Sequence, residues 1–306
     1  MEKLDFSLLK EIALMDNLPT GAYNIRKNGG SAGRFSTDNI RIENKTDKPG
    51  IDINIKSGTK GETVHIPVII TESGHKEIVY NDFFIGDDCD VTIMAGCGIH
   101  NCGDDESRHD GVHTFYIGKN SVVRYAERHY GDGDGNGERI MNPETVVCVG
   151  EGSTVQMDTT QIKGIDSTAR KTKIVVGKDA SAVINEKLLT HGKQYAESDM
   201  DLVLDGENAN GRIISRSVAQ DDSKQVFRPN VIGKSECFGH IRCDSILMGN
   251  ATISSVPAVV AEHTKANLVH EAAIGRIAGD QLIKLMTLGL TEEEAEEKIL
   301  EGFLGE

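Results

Sequence analysis

An apolar residue followed by glycine and a polar turn returns at a nearly constant interval along this chain, and such a period restricts the accessible folds more than any other feature. The pairs are Ile85-Gly86, Ile117-Gly118, Val149-Gly150, Val176-Gly177 and Ile232-Gly233, with Leu204-Asp205-Gly206 as a one-residue variant. Their glycines lie 32, 32, 27, 29 and 27 residues apart. Each is followed by a polar or small turn and another β segment, as in Lys119-Asn120-Ser121-Val122-Val123. Alternation with a period of two, as in Ile51, Ile53 and Ile55, marks half-buried strands. The chain has 33 glycines against 6 prolines, 5% aromatics and no tryptophan, which suits short strands joined by tight turns. A period near 30 built of strands alone predicts a mainly β chain, stacked as the coils of a β-helix (β-solenoid) or a related sheet sandwich. Irregular hairpins are the alternative.

The ends depart from this period. Leu4, Phe6, Leu8, Leu9, Ile12 and Leu14 predict a short amphipathic helix that ends near Asn17-Leu18-Pro19, followed by polar, glycine-rich sequence through Arg34. After Ile277, residues Asp280 to Met286 suit one helix that stops at Gly289. Thr291 with Glu294 forms a capping box for a second, which carries Ala295, Ile299, Leu300 and Phe303. The expected division is a helical segment over 1–35, a β-helix core over 36–277 and a helical hairpin over 278–306.

A formal charge of -15 without a basic stripe argues against binding to nucleic acid or an anionic membrane. The amino terminus lacks the basic start and apolar core of a signal peptide, and no apolar run approaches the roughly 20 residues that span a bilayer. A cytoplasmic protein is expected. In that compartment the six cysteines should be thiols or metal ligands.

Two places could carry chemistry. Cys243 precedes His270 by 27 residues and Glu271 by 28, close to one repeat, so a thiol and an imidazole or carboxylate could meet on adjacent coils about 4.8 Å apart. Because side chains alternate faces, only one of His270 and Glu271 can share the face of Cys243. The second place is Cys97-Gly98-Ile99-His100-Asn101-Cys102, followed by His109 and His113. It holds enough thiols and imidazoles for a zinc site, with Cys97, Cys102 and His100 as candidates, although its spacing is no standard knuckle.

The stretch Gly239-His240-Ile241-Arg242-Cys243-Asp244, the His270-Glu271-Ala272 triplet, Asp280-Gln281-Leu282 and the helix ending in Gly302-Phe303 resemble the carboxy-terminal third of the SufB and SufD proteins, scaffolds of the SUF system for iron–sulfur cluster assembly. The resemblance is specific from Phe227 to Phe303 and looser over the earlier repeats. It implies a right-handed parallel β-helix that pairs through its body, here with itself, and carboxy-terminal helices that dock a SufC-like ABC ATPase in a 2:2 complex. It also implies that Cys243 holds a nascent iron–sulfur cluster, [4Fe-4S] favoured, with Glu271 or His270 beside it. Leu288 stands where the family commonly has Arg. The chain has no Gly-x-x-x-x-Gly-Lys-Ser/Thr loop, so nucleotide is expected on the partner and the chain itself is expected to be non-catalytic.

Two other readings compete. One is a β-helical carbohydrate-active enzyme using paired acids such as Asp221 and Asp222. It is opposed by the lack of an export signal and of Trp. The other is a structural solenoid with zinc in the segment from Cys97 to His113.

Overall fold

Each sequence repeat folds into one coil, and each coil gives one strand to each of two facing sheets. The computed structural model describes residues 2–305. It is a parallel β-solenoid of about eight turns, with 58% of residues in strands, arranged as a ten-stranded and an eleven-stranded sheet. Within the first sheet, Asp90 pairs with Val122, Val122 with Thr154, Thr154 with Ser181, Ser181 with Asn210, Asn210 with Phe238, and Phe238 with Asn267. The first four of these advances, 32, 32, 27 and 29 residues, equal the intervals between the glycines, and the next is 28 against 27.

Those glycines form one corner. Coils stack so closely there that a Cβ on Gly206 would lie 2.0 Å from the Lys178 amide nitrogen. Two residues after four of these glycines the chain turns through a left-handed conformation at Asp88, Asn120, Asp179 and Asn208, with φ between 52° and 59°, and after Gly150 the same place is taken by Gly152 at φ 68°. The short polar side chains of Asp and Asn tolerate this region best among residues other than glycine. Turn chemistry and coil spacing are therefore encoded at the same positions.

Between the corners, strands such as Ser181–Thr190 bury every second residue, and the alternate apolar side chains fill the space between the sheets. Ile53, Phe83, Ile93, Phe115, Tyr125, Ile184 and Ile213 belong to one continuous cluster. The rings of Phe83 and Phe115 stack in it at 4.3 Å.

Helix α1, Lys3–Ala13, starts on a capping box formed by Glu2 and Asp5. It lies on the outside of the first sheet, where Leu8, Leu9 and Ile12 pack with Ile25 and Ile69. Gly96 permits this contact, since a Cβ there would lie 2.4 Å from the Ile12 carbonyl oxygen. The helical segment expected over 1–35 is only partly helical. Strands Ala22–Lys27 and Gly30–Phe35 form an antiparallel hairpin, and the first of them pairs in parallel with Lys60–Ile70. Neither strand alternates buried and exposed residues along its length, so no period of two announces it.

At the other end, α2 (Gly279–Met286) and α3 (Glu292–Leu304) form the expected hairpin, with the Thr291–Glu294 capping box in place. Helix α3 buries Ala295 and Leu304, and Lys187 Nζ donates to the Gly305 carbonyl at 3.0 Å. Helix α2 buries no side chain and leaves Ile283 62% exposed, and Leu288 in the turn after it is 78% exposed. No helix among the described residues is long and apolar enough to cross a membrane.

Candidate functional site

Cys243 lies on the strand Cys237–Leu247, between Ser215 on the preceding coil and Ala272 on the last. The final coil advances by 29 residues, so the side chain stacked directly on Cys243 is that of Ala272, not His270 or Glu271 as the spacing suggested. His270 pairs with Ile241, two positions away and on the same inward face. Its Nε2 comes within 3.7 Å of Cys243 Sγ. Glu271 faces the opposite way, 61% exposed, with Oε2 3.4 Å from His240 Nε2. Alternation across the strand thus separates the two neighbours. Cys237, at the far end of the strand, is also buried and lies level with Ala209 and Ala266.

Cys243 is 2% exposed, and burial pushes its thiol up to about 11. At neutral pH it carries its proton, and only a soft metal that displaces that proton makes it a thiolate ligand. Imidazole beside thiolate gives a mixed soft and borderline donor pair.

An inward-facing file of polar side chains leads to this site. Glu127, Thr159, Glu186, Ser215 and Cys243 are consecutive partners in one ladder of the first sheet, and Cys97, His129 and Gln161 occupy the ladder beside it. Glu127 is 3% exposed and forms an ion pair with Arg170 of the facing sheet. Arg170 Nη2 also lies 3.3 Å from His129 Nδ1. Glu186 accepts hydrogen bonds from Ser198 at 2.7 Å and Ser215 at 3.0 Å. Sequence reasoning missed this file. Its signal is a run such as Tyr125, Glu127, His129, in which charge falls on the inward parity of a strand.

Buried titratable groups of the facing sheet give the fold an acid limit. Burial lowers His113 to about 4; its Nδ1 lies 2.8 Å from Tyr125 Oη and its Nε2 3.2 Å from Asn81 Nδ2. Burial alone would raise Glu77, but His109 and Arg26 outweigh it and hold this carboxyl at about 2. Both folded values lie below the unfolded ones. The stability tied to His113 is therefore complete above about pH 6.5 and is lost as pH falls towards 4, and that tied to Glu77 is lost from about 4.5 downward. Urea midpoints are expected to fall steadily below pH 6.5, each fully coupled proton costing up to about 1.4 kcal/mol per pH unit. A midpoint that stays flat from pH 7 to 5 would contradict a neutral, buried His113.

The second cluster does not assemble as one site. Cys97 turns inward among Val68, Ile70, Ile99, Met141 and Ile165. Burial pushes its thiol well above the ordinary value, with Glu77 and Glu127 adding to the effect. His100 lies on the opposite parity of the strand, with Nδ1 2.6 Å from Asp132 Oδ1 and Nε2 3.0 Å from the exposed Cys102 Sγ. Strand alternation separates Cys97 from the other two, and no group of three His, Cys, Asp or Glu among the described residues is placed to hold a metal ion. Asp221 and Asp222 are occupied as turn residues, accepting from Gly192 N at 2.7 Å and Asn250 Nδ2 at 3.2 Å.

A parallel two-sheet solenoid with a polar file between its sheets and a partly buried thiol–imidazole pair in its last coils defines the class of protein. Within that class the chain belongs to the SufBD family. Residues 70–303 match the model described as SUF system FeS cluster assembly, SufBD core domain. An iron–sulfur cluster assembly SufBD family protein of Methanocaldococcus jannaschii is 32% identical over 257 residues, covering 83% of this chain and 80% of the relative. One of Pyrococcus horikoshii is 27% identical over 291 residues, covering 90% and 84%. A chloroplastic member from Arabidopsis thaliana is 26% identical over 222 residues, 70% of this chain and 40% of its own length. Membership gives the chain a role in iron–sulfur cluster assembly.

Proposed function

We propose that this chain is a non-catalytic scaffold that holds a nascent iron–sulfur cluster between two copies of itself. The observation that carries the reading is the approach of His270 Nε2 to Cys243 Sγ at 3.7 Å in the last coils. One thiolate and one imidazole cannot fill four cluster positions, whereas a two-fold interface supplies four donors, as a [4Fe-4S] cluster requires. Imidazole is the weaker donor, so the cluster is held loosely enough to be passed on. The end of the solenoid suits such pairing, because Val256, Val259, Val260, Val269 and Ile274 are each 38% or more exposed there beside unpaired strand edges. Glu271 points away from Cys243 and takes no first role in this arrangement.

The nucleotide chemistry belongs to a SufC-like ABC ATPase in a cytoplasmic 2:2 complex. Helix α2 and the turn after it offer the docking surface, with Ile283, Met286 and Leu288 exposed. Anaerobic reconstitution with iron(II) and sulfide, followed by iron and sulfide analysis and light scattering, tests the reading. One cluster per two chains in a dimer is expected. A monomer that binds a full cluster, or a loaded dimer in which Cys243 still reacts with an alkylating agent, would overturn it.

A further inference from the structure

At the end of the solenoid opposite Cys243, the first coils of the two sheets enclose a cavity of about 190 Å³. Its polar lining is Asn24, Arg26, Ser31, Arg34, Asn44 and Asn81, and apolar residues such as Ile66 and Val68 complete it. Arg34 links the sheets, since its Nε donates to Asn24 Oδ1 at 2.8 Å and its Nη2 to Asn44 Oδ1 at 2.6 Å. A guanidinium only donates, so both asparagines turn their oxygens to it and keep amide N–H groups for another acceptor. Asn24 is 9% exposed. Arg26 donates to Glu77 at 2.8 Å, and His109 shares that carboxylate. Arg34 has no carboxylate partner among the described residues, and burial pushes its guanidinium down with nothing opposing the effect.

The second sheet adds an acceptor that no donor meets. Asn81 is 5% exposed, and its Nδ2 lies 3.2 Å from His113 Nε2. The direction of these hydrogen bonds is fixed from their buried end. The Tyr125 hydroxyl donates to Glu127, so it accepts from His113 Nδ1 at 2.8 Å, and Nε2 of the neutral ring accepts from Asn81 Nδ2. Asn81 Oδ1 is left buried and without a partner, a rare state for an interior polar atom. The cavity thus combines a guanidinium without a counter-charge, two amide donors and one acceptor.

We propose that this cavity binds a small oxyanion that also carries a hydroxyl donor, with its charged oxygens on Arg34 and the amides of Asn24 and Asn44 and its hydroxyl on Asn81 Oδ1. Hydrogenphosphate and short hydroxycarboxylates share that chemistry. The volume is below the roughly 300–1,000 Å³ of ordinary ligand pockets, which restricts the ligand to a few heavy atoms. A net charge of -15 repels anions from the molecule as a whole, so affinity here has to come from the guanidinium itself and its charge-assisted hydrogen bonds. A bound anion neutralises Arg34 and ties the two sheets together at this end of the solenoid, so ligand and fold stabilise one another.

The full chain, free of iron, is titrated by isothermal calorimetry near neutral pH and at constant ionic strength, with inorganic phosphate in one arm and glycolate in the other. Saturable binding of one anion per chain is expected for at least one probe, and the tighter of the two identifies the natural ligand as a phosphate or a carboxylate. The melting temperature should rise with that probe and not with equivalent chloride. Sulfate and acetate lack the hydroxyl and should bind at least about tenfold more weakly than phosphate and glycolate, because they leave Asn81 Oδ1 unpaired. Arg34→Gln should weaken binding at least about tenfold. Asn24→Asp supplies from within the carboxylate that Arg34 lacks, so this variant should fold at least as stably as the unaltered chain and still lose its response to both probes. No saturable binding of either probe, equal binding of the anions that lack the hydroxyl, or unchanged binding by folded Asn24→Asp protein would overturn the proposal. The site lies at the other end of the solenoid from Cys243 and no iron enters the assay, so its outcome is independent of the scaffold reading.

Discussion

Replacement of Cys243 by alanine is expected to lower the iron and labile sulfide bound after anaerobic reconstitution by about tenfold or more, since changes around a metal ligand already cost 10- to 100-fold in affinity. The expected cause is chemical. On the proposed reading Cys243 is the soft donor, and the side chains around it, Ser215, Ala272 and Ile241, offer no thiolate in its place. His270→Ala should have a smaller effect and leave a cluster that is lost faster, because it removes the weaker donor. Loading should also release protons, because a thiol at about 11 must lose its proton to bind. Reconstitution at pH 6 should therefore be poorer than at pH 8. A Cys243→Ala protein that loads as well as the unaltered chain would sink the site assignment. Loss of loading by unfolding is recognisable, since removal of one buried sulfur atom should leave the melting curve cooperative.

The second large effect concerns stability alone. Arg170 is 6% exposed and lies in the interior against Glu127, 3% exposed. Burial would raise the Glu127 carboxyl, but Arg170 and His129 outweigh it and hold it well below its ordinary value. Arg170→Met leaves that carboxylate buried and uncompensated, at an expected cost of about 3–5 kcal/mol. Most domains are stable by only about 5–15 kcal/mol, so the variant should be near unfolding at ambient temperature. Arg170→Met combined with Glu127→Gln removes both charges and should recover most of the loss. Urea denaturation of the two variants checks this. A loss under about 1 kcal/mol in the single variant would mean that Glu127 is solvated or protonated and the ion pair does not hold the interior together.

Much of this architecture is legible in the amino-acid order. The glycine period is visible because stacked coils leave no room for a Cβ at Gly206, and the turns that follow need the left-handed conformations of Asp88, Asn120, Asp179 and Asn208. The terminal hairpin is visible because the Thr291–Glu294 capping box is a local device. The hairpin over 22–35 is hidden, because its strands do not alternate in burial and the first owes its place to pairing with Lys60–Ile70.

For the site, the sequence alone determined that Cys243 and the His270-Glu271 pair belong to neighbouring coils, since their separation is nearly one repeat. Which of the two faces the thiol was decided only by the tertiary structure. Register depends on the exact advance of the last coil, and a slip of one residue reverses every side chain. That advance places Ala272 beside Cys243, turns His270 inward and sends Glu271 out to His240. The same reason separates Cys97 from His100 while bringing Asp132, thirty residues beyond Cys102 in the chain, onto the His100 ring. Periodicity writes the coil into the sequence, but the parity and height of each side chain are settled only when the coils stack.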